Sequence, residues 1–254
     1  NGGEKLNNCL KSINRQGVCL ELIFVNDGST DNTLELINTF EFCDNIVLHI
    51  ISRENKGFLY SLYEGVNAAS SDIIARIDAD DIWCNNHLSL LLNEFKKDDS
   101  LVLVGSCATL IDEDDNVIDV LEMPINNEEI IKFLHRDNPF IHSSVLFKKN
   151  CYYQTSGYLL GEEIGSMHIA DYNLWFELSK LGKCINVKEK TVLYRVSDKS
   201  MSRSLNKDIN YKARYKIMKE VNQHYKRYQF YSFMQQVKLM VRIFQAILKC
   251  KFVK

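Results

Sequence analysis

Three short apolar runs divide the first third of the chain: LELIFV (20–25), NIVLHIIS (45–52) and DIIARI (72–77). All are rich in strand formers. Between them Thr33, Leu36, Ile37 and Phe40, and then Leu59, Leu62, Tyr63 and Val66, recur at helical spacing. The segment NDGSTD after the first run combines turn residues with helix-cap residues. Strand, helix, strand, helix, strand at this interval predicts parallel strands joined by crossover helices.

The pattern continues with a helix over 85–97, strands over 101–112 and 116–123, and a helix near 127–136. FIHSSVLFKK then reads as a strand and residues 155–166 as a Gly-bearing loop. ADYNLWFELSKLG reads as a helix, with Asp171, Leu174, Trp175 and Leu178 on one face, and 185–196 as the last strand. From about 206 the pattern is helical. The expected organisation is one α/β domain over 1–204, with a mostly parallel mixed sheet flanked by helices, and a helical extension over 205–254.

Ligands of open parallel sheets bind beyond the carboxyl ends of the strands. Asp27 follows the first run, and Asp78, Asp80 and Asp81 follow the third, so both groups are expected on one crevice. Asp-x-Asp puts two carboxylates on the same side of an extended chain, where they repel unless a cation lies between them. Oxygen-only ligation suits Mg2+ or Mn2+, which keeps positions open for phosphate oxygens. A solvated acidic turn capping the helix near residue 85 is the other reading of these acids.

A formal charge of −2 lacks the basic surplus of a nucleic-acid-binding protein. No apolar run approaches the roughly 18 residues of a membrane span, and the first residues lack a signal-peptide pattern. Eight cysteines occur without a single CxxC pair, against a zinc ribbon or a thioredoxin-type site. Buried free thiols, Cys19 and Cys107 among them, and a reducing, cytoplasmic setting are the expectation.

Four segments carry a resemblance: VNDGSTDNT, NKGFLYSLYEGVNAASSDIIARIDADDIW, NPFIHSSVLFKK and ADYNLW…LYRV. In that order, from about residue 20 to 200, they resemble the family 2 glycosyltransferases of the GT-A fold. The resemblance implies a nucleotide-diphosphate sugar donor, with a UDP-sugar expected, a divalent metal and a single displacement that inverts the anomeric centre. It also implies a glycan or lipid-linked acceptor, as many members with such motifs build bacterial surface polysaccharides.

Carried over by position, the resemblance gives Asp27 to the nucleotide base, Asn55 and Gly57 to the nucleotide pocket, and Asp78 to the ribose side. Asp80 matches the metal ligand, with Asp78 beside it, and Asp81 stands behind them or on the sugar. Asp171 matches the catalytic base. An acceptor hydroxyl is a poor nucleophile and needs such a carboxylate within hydrogen-bond reach, although a first-turn Asp also stabilises a helix dipole. Arg195 is assigned to phosphate or to an acid of the site, with a surface ion pair as the alternative. His142 falls near the acceptor side or is a core histidine. Trp83 is a packing residue close enough to the acids to touch a sugar face, and Arg76 has no role assigned.

The chain departs from the family pattern in three places. The strand that opens family members has no counterpart before NGGEKLNNCLKSI, so the sheet is expected to lack a member on the nucleotide side. Ala170 stands where relatives carry a Glu before the base, and Ser197 stands where a His often completes the metal site. The tail from Lys226 to Lys254 has seven Lys/Arg and no Asp or Glu. Its apolar positions recur at mostly helical intervals, which fits a helix on an anionic membrane surface or one packed on protein. Two rival readings remain: a sugar nucleotidyltransferase, which would need a basic Gly-rich phosphate loop, and a sugar-nucleotide binder without transfer activity.

Overall fold

The structure is a computed structural model that describes residues 2–158, 169–197 and 207–226. Most of the tail and of the 155–166 loop therefore lies outside the described residues. Helix α1 (Gly3–Asn14) leads into β1 (Leu20–Asp27), α2 (Thr33–Thr39), β2 (Ile46–Arg53) and α3 (Phe58–Ala68). Strands β1 and β2 pair in parallel over eight residues, from Leu20 opposite Ile46 to Asp27 opposite Arg53. Alternate side chains leave opposite faces of a strand. Leu22 and Phe24 accordingly join Leu48 and Ile50 against Leu6, Leu10 and Ile37 of α1 and α2. Val25 faces the other way, where the Gly65 backbone of α3 comes close to it.

The second sheet contains β3 (Ile73–Ala75), β4 (Ile82–Trp83), β5 (Leu101–Ile111), β6 (Val117–Leu121), β7 (Leu146–Lys148) and β8 (Lys183–Arg195). Its order is β3-β7-β5-β8-β4, with β6 on β5 beyond the β7 contact. The expected mixed sheet is present, but among the described residues only its longest ladder, β5–β8, is parallel; its other four pairings are antiparallel, and the parallel β1–β2 ladder stands as a separate two-stranded sheet. Three details differ from the sequence pattern. The third strand pairs only over Ile73–Ala75, because the chain must turn to present the acids. A two-residue strand, β4, follows them and pairs antiparallel with β8. Within FIHSSVLFKK a 3-10 turn at His142–Ser144 precedes the short β7.

Helices α4 (His87–Lys97), α5 (Asn127–Leu134), α6 (Lys149–Tyr152), α7 (Ala170–Ser179) and α8 (Lys207–His224) complete the fold. The run Leu101–Ala108 of β5 is buried throughout, as expected of a strand covered on both faces. Trp175 of α7 has no exposed surface and meets the rings of Phe140, His142 and Phe147. Ile217, Met218 and Val221 bring α8 onto the domain, with Ile217 and Val221 in this core. Cys107 is buried as expected but Cys19 is exposed, since it lies in the loop just before β1 rather than on a buried face. No described helix is long and apolar enough to cross a membrane.

Candidate active site

The turn after β1 is closed by Asp27. Its Oδ1 accepts the Lys56 N–H at 2.7 Å and its Oδ2 the Gly57 N–H at 3.0 Å. Arg53, at the end of β2, donates to the same carboxylate and to Glu64 Oε2 at 2.6 Å. Burial alone would raise the Asp27 carboxyl; the Lys56 amide, the Arg53 guanidinium and the Gly57 amide outweigh it and hold it below the usual range. Asn55 Oδ1 accepts the Gly57 N–H at 3.1 Å. Gly57 has φ +95° and Gly28 φ +73°, conformations that favour glycine. A Cβ on Gly28 would also lie 2.8 Å from the Asn55 backbone nitrogen. Asp27, Asn55 and Gly57 thus come together as expected, in one tight corner.

The next residue, Phe58, connects this corner to the acidic turn, because its ring lies 5.6 Å from the Arg76 guanidinium. Arg76 grips Asp78 with both terminal nitrogens, Nη1 at 2.5 Å from Oδ2. Ser143 Oγ lies 3.2 Å from Arg76 Nη1 and donates to Asp78 Oδ2 at 3.2 Å. The Asp78 N–H donates to Ser143 Oγ at 3.1 Å. Arg76 and Asp78 are two residues apart on an extended chain, so their side chains share a face. That spacing was visible in the sequence, where Arg76 had no role assigned.

Asp81 is 1% exposed, and its Oδ1 accepts the Arg195 N–H at 2.8 Å. Desolvation, and after it the charge of Asp78, push its carboxyl up to about 8. Asp80 reaches the surface, yet desolvation by the surrounding chain and the charge of Asp78 raise it as well. Its carboxylate accepts no hydrogen bond from another residue among the described residues, which leaves it the freest of the three.

Arg195, expected on phosphate or on an acid of the site, is 4% exposed and occupied by the protein. Its Nε donates to the Asp80 carbonyl at 3.0 Å, Nη1 to the Asp112 carbonyl at 2.5 Å, and Nη2 to Asp115. It braces the acidic turn against the β5–β6 hairpin. Trp83, considered for a sugar face, is 5% exposed. Its Nε1 donates to the Ser143 carbonyl at 2.8 Å and its ring stacks on His87. His142 lies among Phe58, Tyr158 and Trp175, with Nε2 3.0 Å from the Tyr158 hydroxyl. Burial and the nearby Arg76 charge keep it neutral.

Asp171 lies in the first turn of α7. Its Oδ1 accepts the Tyr172 N–H at 2.8 Å and its Oδ2 the Asn138 side-chain amide at 2.7 Å. Desolvation raises the carboxyl to about 6, against these hydrogen bonds and the Arg76 charge, which lower it. Tyr158 and Tyr194 each feel the charges of Arg76, Asp78 and Asp171. Asp171, Asp78 and Arg76 are therefore electrostatic neighbours of the same two tyrosines. Sequence reasoning missed Ser143 and Asn138, although both lie within the NPFIHSS segment.

A family model described as "Glycosyl transferase family 2" matches residues 1–158. The chain belongs to that family. An uncharacterized glycosyltransferase of Haemophilus influenzae is 29% identical over 216 residues, covering 82% of this chain and 66% of the relative. The amylovoran biosynthesis glycosyltransferase AmsE of Erwinia amylovora is 28% identical, covering 70% and 65%. The chain thus spans just under two thirds of these relatives. The O-antigen biosynthesis glycosyltransferase WbnJ of Escherichia coli is 29% identical, with 72% and 70% covered. Among solved structures, S. aureus TarS 1–349 with UDP-GlcNAc superposes with a TM-score of 0.64 at 14% identity, over 96% of this chain and 78% of the 1–349 chain. The mannosyltransferase PcManGT of Pyrobaculum calidifontis, with GDP-Man and Mn2+, gives 0.63 at 12% identity, over 98% and 72%. The chain therefore has the glycosyltransferase GT-A fold of its family.

Among the described residues no three His, Cys, Asp or Glu side chains converge as a ready-made metal site. The donor chemistry still fits a hard divalent cation, since the Asp80 carboxylate is unclaimed and raised by its crowded neighbours. A cation held here by Asp80, with Asp78 beside it, would draw its remaining ligands from a diphosphate.

Proposed function

We propose that this glycosyltransferase moves a sugar from a nucleotide-diphosphate sugar to a hydroxyl of a glycan or lipid-linked acceptor, with inversion. The observation that supports the reading is Asp171: a carboxyl buried enough to sit at about 6, yet held by Asn138 and Tyr172 and within reach of the charge of Arg76, which grips Asp78 of the acidic turn. A base poised near neutral pH can take a proton as the acceptor oxygen attacks. The acceptor oxygen bonds to the anomeric carbon on the face opposite the diphosphate. The carbon–oxygen bond to the diphosphate breaks with its electron pair on the leaving group, and the hydroxyl proton passes to Asp171.

Asp80, with Asp78, is the proposed holder of Mn2+ or Mg2+, which when bound neutralises charge developing on the leaving diphosphate. Asp27, Asn55 and Gly57 form the proposed wall for the nucleotide. The Mn2+ and GDP-Man in PcManGT and the UDP-GlcNAc in TarS support this donor class. The polysaccharide names of AmsE and WbnJ support the acceptor class.

The test is Mn2+ with a panel of nucleotide sugars. Nucleoside diphosphate release is expected, slow without acceptor, and Asp171→Asn should abolish transfer while leaving nucleotide binding nearly intact. Unchanged transfer in Asp171→Asn would sink the base assignment, and pyrophosphate release would indicate a nucleotidyltransferase. A second reading, a sugar-nucleotide binder without transfer, draws support from the grip of Arg76 on Asp78; it predicts donor binding with no turnover on any acceptor.

A further inference from the structure

The segment between α5 and the 3-10 turn is tied down from several sides. The Tyr172 hydroxyl of α7 donates to the Leu134 carbonyl. His135 Nδ1 meets Asn222 Oδ1 of α8 at 2.5 Å, and Arg214 of α8 pairs with Asp137 at 2.7 Å. Asp137 in turn accepts the Asn138 backbone N–H at 2.8 Å. The Asn138 side chain is then fixed by one more contact, in which its Oδ1 accepts the Phe140 N–H at 3.1 Å. A backbone N–H can only donate, so the carbonyl end of the amide must face Phe140. The NH2 end is left pointing at Asp171 Oδ2, 2.7 Å away.

Asp171 has few other supports. Ala170, the residue before it, is 2% exposed and offers no polar atom from its side chain. The second carboxylate oxygen is taken by the Tyr172 N–H of its own helix. Asn138 is the one side chain among the described residues that donates to this carboxylate.

We propose that Asn138 is the positioning residue of Asp171: it fixes the rotation of the carboxylate and holds it ionised, taking over the support that a neighbouring Glu would give at Ala170. The assignment rests on the reading of Asp171 as the base. Through Arg214 and Asp137 it also makes α8 part of the framework around Asp171.

The experiment uses the full chain with 13C-carboxyl-labelled aspartate. The resonance missing from Asp171→Asn identifies Asp171, whose titration is expected near about 6 in the unmodified chain. Loss of a charge-assisted donor disfavours the ionised form, so Asn138→Leu should move the midpoint up by about one pH unit or more. Asn138→Asp keeps an acceptor for the Phe140 N–H and turns a carboxyl towards Asp171, so its midpoint should also rise. Should the Leu variant fail to fold, the Asp variant carries the test alone. Nucleoside diphosphate release from whichever sugar nucleotide of the panel turns over should fall about fivefold or more at pH 6 and recover towards pH 8. A purely structural defect would not recover. An unmoved midpoint in the folded variants overturns the proposal. Transfer retained by Asp171→Asn overturns the base reading instead, and the titration still decides whether Asn138 holds the carboxylate.

Discussion

The acid that ends β1 and the candidate-site acids near the larger sheet are handled in opposite ways. In the β1–β2 pair only Asn26 of β1 and Ile46 of β2 are buried, and the apolar side chains along β1 are half-covered. Its acid, Asp27, is surrounded by an arginine and two backbone amides that hold it ionised. In the larger sheet β5 is buried without interruption over Leu101–Ala108. Of the acids near it, Asp80, Asp81 and Asp171 are raised, with desolvation the first cause each time, whereas partly exposed Asp98 and Asp112, flanking β5, are held low chiefly by hydrogen bonds. The contrast separates an acid that fastens a corner from acids whose protonation or ligation is left open. Burial cost is tolerable for the second kind because the deep sheet supplies the packing that offsets it.

If packing is unequal in this way, equivalent truncations should reveal it. Trp175→Ala removes the central ring of the larger core and should cost about 3–5 kcal/mol in urea unfolding. Leu22→Ala, on half-buried β1, should cost roughly 1–2 kcal/mol. Equal losses would break the comparison.

A smaller effect tests the acids themselves. Asp171 is raised from 3.8 to about 6 in the folded chain. Below pH 4 both folded and unfolded states carry its proton, and it contributes nothing. Between pH 4 and 6 the unfolded state releases that proton first, so stability falls as pH rises. Asp171→Asn should therefore be more stable than the parent at pH 7, by on the order of 1–3 kcal/mol, and equal to it near pH 4. Asp27 has the opposite sign: held below its usual range, it stabilises above the unfolded value, and that contribution is lost as pH falls through the folded one. Asp27→Asn should thus be the less stable chain at pH 7, with the gap closing in acid. Thermal melts across pH 4–8 check both.

Much of this arrangement was legible in the sequence because it depends on local pattern. The apolar runs and their helical intervals located β1, β2 and β5, and the turn residues located the acids at strand ends. What could not be read was pairing across distance. Arg195 lies in an apolar strand pattern, and nothing local says that Asp112 and Asp115, some eighty positions earlier, would claim its side chain. His142 and Trp83 lie beside chemically active neighbours in sequence, but His87 packs Trp83 into the core and the rings of Phe58, Tyr158 and Trp175 surround half-buried His142. Asn138 was equally hidden, since its value comes from a partner 33 residues on. Arg76 is different, because the two-residue spacing to Asp78 on an extended chain already implied a shared face.

The smallest effect concerns the corner that Asp27 closes. Gly28 combines φ +73° with a Cβ position 2.8 Å from the Asn55 backbone nitrogen. Gly28→Ala should cost about 1–2 kcal/mol, from the left-handed backbone and from the forced displacement of Asn55. Because the half-covered β1–β2 pair can shift, the chain should still fold. Its injury should fall on the Asn55–Gly57 wall, weakening nucleotide binding measured by calorimetry while the Asp171 titration stays where it was. A shifted Asp171 midpoint in Gly28→Ala would mean that the two sheets are coupled more tightly than their separate hydrogen-bond ladders imply.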